Sequence, residues 1–169
     1  MGKPLNLPFD PIERAAERWE ETWGPASAMR VATSIMRAQQ ILLGRYDELL
    51  KPHGLTFARY EVLVLLRFSQ YGALPLGRIG ERLMVHPTSV TNSIDRLEKA
   101  GFVERRPNPR DGRGTLAAIT ETGRAVVEAA TKDLMDADFG LDAIAESSRI
   151  ATVKALRDLR LDAGDFTGD

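Results

Sequence analysis

The stretch that decides the fold is residues 87–120, PTSVTNSIDRLEKAGFVERRPNPRDGRGTLAAIT. Pro87 suits the first position of a helix, Val90, Ile94 and Leu97 recur at helical spacing, and Gly101 stands where a left-handed C-terminal cap belongs. The spacing therefore predicts one helix with a single buried stripe. Two β-prone runs follow, 102–106 and 115–119, separated by a polar, Gly- and Pro-rich span, 107–114, that cannot be core and reads as the tip of a hairpin. Just upstream, Leu76, Ile79 and Leu83 sketch a short helix and Val85-His86-Pro87 a turn. The order is helix, turn, helix, hairpin.

Opposite the apolar stripe of the second of these helices lie Thr88 and Asn92, flanked by Pro87, Ser89, Thr91, Asp95 and Arg96. Asn can pair with adenine, Arg with guanine and a hydroxyl with either, so this face has the chemistry to read base edges in a major groove. Any capped polar helix also has an exposed face, and the neighbouring hairpin weighs between the two readings. Arg105, Arg106, Arg110 and Arg113 cluster there, and a narrow A·T-rich minor groove attracts arginine. Asp111 is placed to hold Arg113 extended. A solvated charged turn is the alternative for the loop standing alone.

Working towards the N-terminus, residues 57–69 form an apolar helix that Thr56 can cap, and Tyr71-Gly72 with Pro75 marks a loop after it. Residues 27–50 form a long helix. Its stripe of Val31, Ile35, Ala38, Leu42 and Leu49 is widened by Met29, Met36, Leu43 and Leu50, a surface too broad for one subunit to cover, so it asks for a second copy. An earlier helix, 10–23, starts on Asp10 and Pro11 with Glu13 as a capping-box carboxylate, buries Ile12, Ala15, Ala16, Trp19 and Trp23, and ends at Gly24-Pro25. Towards the C-terminus two helices are expected, 121–138 and 142–161, broken at Gly140. The chain divides into a loose arm (1–9), N-terminal dimerisation helices (10–53, with 10–23 an extra helix), a DNA-binding lobe (54–119), C-terminal dimerisation helices (120–162) and a frayed tail (163–169).

Composition narrows the function. The 169 residues carry 23 Lys and Arg against 24 Asp and Glu, a net charge of −1, which excludes a protein that coats nucleic acid over its whole surface. Basic charge is local instead: across 96–113 there are six basic residues against three acidic ones. The absence of cysteine removes disulfides, a thiol nucleophile and a thiol redox switch. His53 and His86 stand far apart and suggest no metal site. Neither a secretory segment nor a run of about 18 apolar residues is visible, so a cytoplasmic protein away from the membrane is expected. No nucleophile and base pair or phosphate loop appears, so an enzyme is not expected. A helical ligand-binding module without DNA contact would carry acidic or bulky replacements on the helix and hairpin; Asp95 alone leans that way.

Asp111-Gly112-Arg113, followed by Leu116, Ile119, Thr120 and Gly123, resembles the wing signature of the MarR family, an Asp-x-Arg and then an apolar strand ending in Leu-Thr-x-x-Gly, with Ile119 in place of the Leu. Residues 94–103 are similar to the family's recognition-helix exit, and Gly54-Leu55-Thr56 to the start of its second common helix. The resemblance spans about residues 27–161. It implies a mainly α fold with a small β-hairpin wing: a winged helix-turn-helix joined to a helical dimerisation lobe. It further implies a homodimeric repressor on a pseudo-palindromic duplex, relieved by a small aromatic or anionic effector, with no cofactor required. The helix bearing Trp19 and Trp23 is similar to an extension in the urate-responsive branch, where a Trp, an Arg and an acidic residue help form the ligand site. Trp23, Arg30 and Glu61 are the nearest matches, Glu61 standing for an Asp; the simpler reading, and the favoured one, is that the two tryptophans only dock the extra helix.

Overall fold

The structure, a computed structural model, describes residues 5–109 and 111–168, and for 111–113 the backbone alone. Helix α1, Pro11–Thr22, begins as the sequence predicts: Asp10 Oδ1 accepts from the backbone N–H of Ile12 at 2.8 Å and of Glu13 at 3.4 Å. The reciprocal half of the capping box is missing, because Glu13 Oε2 accepts instead from Arg30 Nε at 3.1 Å. Only Ala16 of the predicted face is buried, and Trp23 is 72% exposed. Helix α2 is Ser27–Leu50, close to the span the hydrophobic period gives.

A single 3-10 turn, Lys51–His53, ends on Gly54 at φ +70°, and α3, Phe57–Phe68, follows. Thr56 occupies the N-cap position but its hydroxyl does not cap; Asp47 of α2 does, accepting from Phe57 N at 2.8 Å. Tyr60, Val62, Leu63 and Leu66 are buried, whereas Phe68 is exposed. The loop expected around Pro75 is in part a strand, β1, Ala73–Pro75. A proline is tolerated there because β1 is an edge strand that ends on it.

Helices α4, Leu76–Leu83, and α5, Pro87–Lys99, meet through Met84, which adopts the left-handed conformation at φ 52°. Helix α5 buries Val90, Ile94 and Leu97. It closes in a Schellman arrangement, Gly101 N donating to Glu98 O and Phe102 N to Leu97 O, both at 2.9 Å, with Gly101 at φ +76°. Strands β2, Val103–Asn108, and β3, Asp111–Ile119, complete an antiparallel sheet in the order β1-β3-β2. Both strands run further than the sequence suggests: the register Arg106↔Leu116 continues to Pro107↔Thr115, and after an irregularity to Asn108↔Asp111, so the eight-residue tip shrinks.

Helix α6, Glu121–Asp136, is capped by Thr120 Oγ1, which accepts from Gly123 N at 3.0 Å. A tight turn with Phe139 at φ 50° then leads to α7, Glu146–Asp162, which starts later than the period implies. Residues 163–168 turn back onto the end of α7. Arg157 and Arg160 lie over the Phe166 ring, and Arg160 Nε reaches Asp165 at 2.9 Å.

One core runs through these elements. Leu50 of α2, Leu63 and Leu66 of α3, Ile79 of α4, Ile94 and Leu97 of α5 and Leu134 of α6 are fully buried together. Helix α5 is thereby fixed on its inner face while its outer face stays free, as close packing of one stripe requires. Helix α7 contributes no buried residue at all. Among the described residues no helix is long and apolar enough to cross a membrane.

Candidate nucleic-acid interface

Pro87, Thr88, Ser89, Thr91, Asn92, Asp95 and Arg96 all lie on the exposed side of α5, as one continuous polar face. The face begins on a capped helix end: His86 Nδ1 accepts from Thr88 N at 3.2 Å. Thr91 Oγ1 donates back to Pro87 O at 3.1 Å. A polar cleft of about 660 Å³ runs beside this face, lined by Asn92, Ser93, Asp95 and Arg96 and, across it, by Thr56 at the N-cap of α3 and Arg59 within that helix. Arg59 was not singled out by sequence. Its signal was faint, a lone cation near the start of an apolar helix, and only the packing of α3 on α5 brings it alongside Arg96.

The wing cations divide. The pleat sends Val103 and Arg105 towards α5 and Glu104 and Arg106 the other way. Arg105 is consequently engaged by α5 itself, reaching Asp95 Oδ1 at 2.5 Å and Glu98 Oε2, and its backbone N–H donates to Glu98 Oε1 at 3.2 Å. Asp95 foremost, with Glu98, holds the Arg105 proton more firmly than usual, against the opposing effect of burial. Arg106 Nε donates to Glu104 Oε1 at 2.6 Å. Arg105 and Arg106 thus each have a carboxylate partner within the chain, Arg105 on α5 and Arg106 on its own strand. Arg110 and the side chains of Asp111 and Arg113 lie outside the described residues.

The three residues matched to an effector site each have their own surroundings within the chain. Arg30 donates to Glu13 and, through Nη1 at 2.8 Å, to Glu20, so it fastens α1 to α2. Trp23 meets Trp19 edge-on, ring centres 4.8 Å apart, at the outer end of α1. Glu61 sits half-buried on α3, and burial pushes its carboxyl up from the usual carboxylate range. None of the three lines the apolar cavity of about 660 Å³ between α3 and α6. That cavity is walled by Phe57, Val64, Phe68, Val127, Met135 and Phe139, with Tyr60 and Thr131 as its polar floor. Thr131 Oγ1 donates to Val127 O at 2.7 Å, so at 2.9 Å it accepts from the Tyr60 hydroxyl. At the rim Arg67 pairs with Glu128 and Lys132 with Asp136.

His53 and His86 have separate partners: His53 Nε2 lies 2.7 Å from Asp133 Oδ2 on α6, and His86 caps α5. Among the described residues no group of three or more His, Cys, Asp or Glu side chains is arranged to hold a metal.

Comparison with known proteins gives this architecture relatives. The MarR family model matches residues 55–115, from the end of the 3-10 turn to the middle of β3. Among curated proteins, an uncharacterised HTH-type transcriptional regulator of Mycobacterium bovis is 36% identical over 72 residues, 43% of this chain and 50% of that one. The chain thus spans about half the length of the curated relatives it matches first. Solved structures extend the likeness. A mutant MarR from Escherichia coli complexed with operator DNA superposes with a TM-score of 0.70 at 26% identity, over 80% of this chain and 96% of that one. Sco5413, a MarR family transcriptional regulator from Streptomyces coelicolor, is 60% identical, with a TM-score of 0.77 over 83% of this chain and 98% of that one. With that identity over nearly the whole of a family member, and the helix-turn-helix and wing in matching order, this chain belongs to the MarR family.

Proposed function

We propose that the protein is a sequence-specific DNA-binding transcriptional regulator, a ligand-responsive repressor that occupies a pseudo-palindromic duplex as a homodimer. The observation that carries this reading is the outer face of α5, where Thr88, Ser89, Asn92 and Arg96 are exposed together on a helix whose inner face is locked into the core. Base readout needs such rigidity, because a bidentate amide or guanidinium contact is lost with small displacements. The likeness to a relative complexed with operator DNA supports a DNA-binding role. On this reading 54–119 is the DNA-binding lobe, 10–53 and 120–162 form the dimer lobe, and the protein works in the cytoplasm without enzymatic activity.

A second copy would cover α7 and the outer side of α2, where Ile150, Val153, Leu159, Val31 and Met36 are exposed. A small aromatic or anionic effector would enter the cavity between α3 and α6, whose apolar walls suit a ring and whose rim carries Arg67 and Lys132. Selection of bound duplexes from a random pool tests the whole reading. The expected outcome is one enriched motif with two-fold symmetry and half-sites about one helical turn apart. Recovery of unrelated sequences would overturn it.

A further inference from the structure

The acidic residue on the DNA-facing side of α5 is the anomaly of the site. Asp95 stands between Asn92 and Arg96 on the polar cleft, where an uncompensated carboxylate would repel the phosphate backbone. Glu98 follows on the next residue but two, half-buried towards the sheet. Strand β2 is an outer strand, and the Arg105 N–H donates to Glu98 instead of standing open at the sheet edge. The same Glu98 and Asp95 share the two ends of the Arg105 guanidinium. The planar fork of arginine can bridge two carboxylates in this way; a lysine could supply only a point charge. Two otherwise repulsive carboxylates and one wing cation are thus used up in a single lock between α5 and β2.

We infer that Arg105 is a positioning residue: it fixes the angle between the recognition helix and the wing and masks Asp95 from DNA, and it makes no phosphate contact of its own. The inference rests on the DNA-binding reading above and deepens it. It separates Arg105 from the other wing cations by a measurable property. A side chain that neutralises a phosphate releases a counterion, so its loss lowers the slope of log K against log salt by about 0.9. Loss of a masking cation leaves the number of neutralised phosphates unchanged. It exposes a carboxylate whose repulsion weakens binding, by roughly fivefold to tenfold at low salt.

The test is a titration of the selected duplex across a salt series with the full chain, its Arg105→Gln and Arg105→Lys variants, and Arg105→Gln combined with Asp95→Asn. The expected result is weaker binding by Arg105→Gln, incomplete recovery with Arg105→Lys, which keeps the charge but not the fork, and partial recovery when Asp95→Asn is added, the remaining loss being that of the helix–wing lock, with every slope within about 0.3 of the parent's. A thermal melt of each variant confirms that the fold is retained. A slope reduced by about one unit in Arg105→Gln, or no rescue by Asp95→Asn, overturns the inference while leaving the DNA reading intact. Failure of the unaltered protein to prefer any duplex overturns both.

Discussion

Gly123 lies directly beneath the carbonyl of Phe102: a β-carbon at Gly123 would stand 2.1 Å from that oxygen and 2.9 Å from its carbon. The contact joins the first turn of α6 to the segment between α5 and β2, and Thr120 N donates to the same Phe102 oxygen at 3.0 Å. The obstacle is backbone, so it cannot move aside as a side chain would. Gly123→Ala should therefore destabilise the protein by about 1–3 kcal/mol in denaturant unfolding. Gly77→Ala, where the new methyl group meets nothing within 4 Å, should be neutral or stabilising by up to about 1 kcal/mol. Equal effects at the two sites would refute the close approach.

The start of α3 depends on a residue outside it. Asp47 of α2 accepts from Phe57 N, while the Thr56 hydroxyl accepts from Arg59 Nε at 3.1 Å. Asp47→Ala should cost about 0.5–2 kcal/mol, the range of a lost helix cap, and Thr56→Ala clearly less. Chemical denaturation of the two single variants distinguishes them; a larger loss at Thr56 would return the cap to the residue the sequence suggests.

These two contacts show where the sequence was legible. Helices α1, α2 and α5 could be read because local rules act within one turn: Asp10 and Pro11 at a start, Gly101 at an end, Val90, Ile94 and Leu97 on one stripe. Strand β1 could not, since three residues carry no period and Ala73 is ordered only by pairing with Ala118, 45 positions later. The exposed face of α5 was legible for the same reason as its stripe. The partners of Arg105 were not: Asp95 and Glu98 come within reach of it only when the chain turns back at Gly101, and charge counting treats all three as independent. Arg59 was missed likewise, because its place beside Arg96 is made by tertiary packing.

Glu61 gives a pH dependence of known sign. Burial raises its carboxyl above the ordinary value, so protonation is easier in the folded than in the unfolded chain. Its stabilising contribution is complete below the unfolded value and is lost as pH rises through the folded one. Glu61→Gln should accordingly melt higher than the parent at pH 7, with the gap closing towards pH 4. Thermal melts across that window check it; a gap that widens on acidification would contradict the sign.

Helix α7 is 17 residues long, buries nothing, and presents Ile150, Val153 and Leu159 at 58–67% exposure. A helix of that length is marginal alone in water, so the proposed second copy should supply its packing. Ile150→Glu with Val153→Glu is expected to shift sedimentation at micromolar concentration from twice 18.7 kDa to a single 18.7 kDa chain. Specific duplex binding should weaken in parallel, since each half-site would then be held by one helix. A variant that remains dimeric would place the interface elsewhere.

Asn92 offers the sharpest test of base reading. It is exposed on α5 one turn beyond Thr88, on the wall of the polar cleft it shares with Arg96, and its amide can both donate to and accept from an adenine edge. Asn92→Ala removes this pairing without changing charge. The slope of affinity against salt should stay unchanged, while discrimination falls by about 1–3 kcal/mol at one base position in each half-site. Arg96→Ala is expected to weaken binding as well, and to lower the slope only if its guanidinium holds a phosphate and not a guanine. Repeating the duplex selection with both variants reads these effects position by position. An Asn92→Ala motif identical to the parent's would remove Asn92 from the reading face.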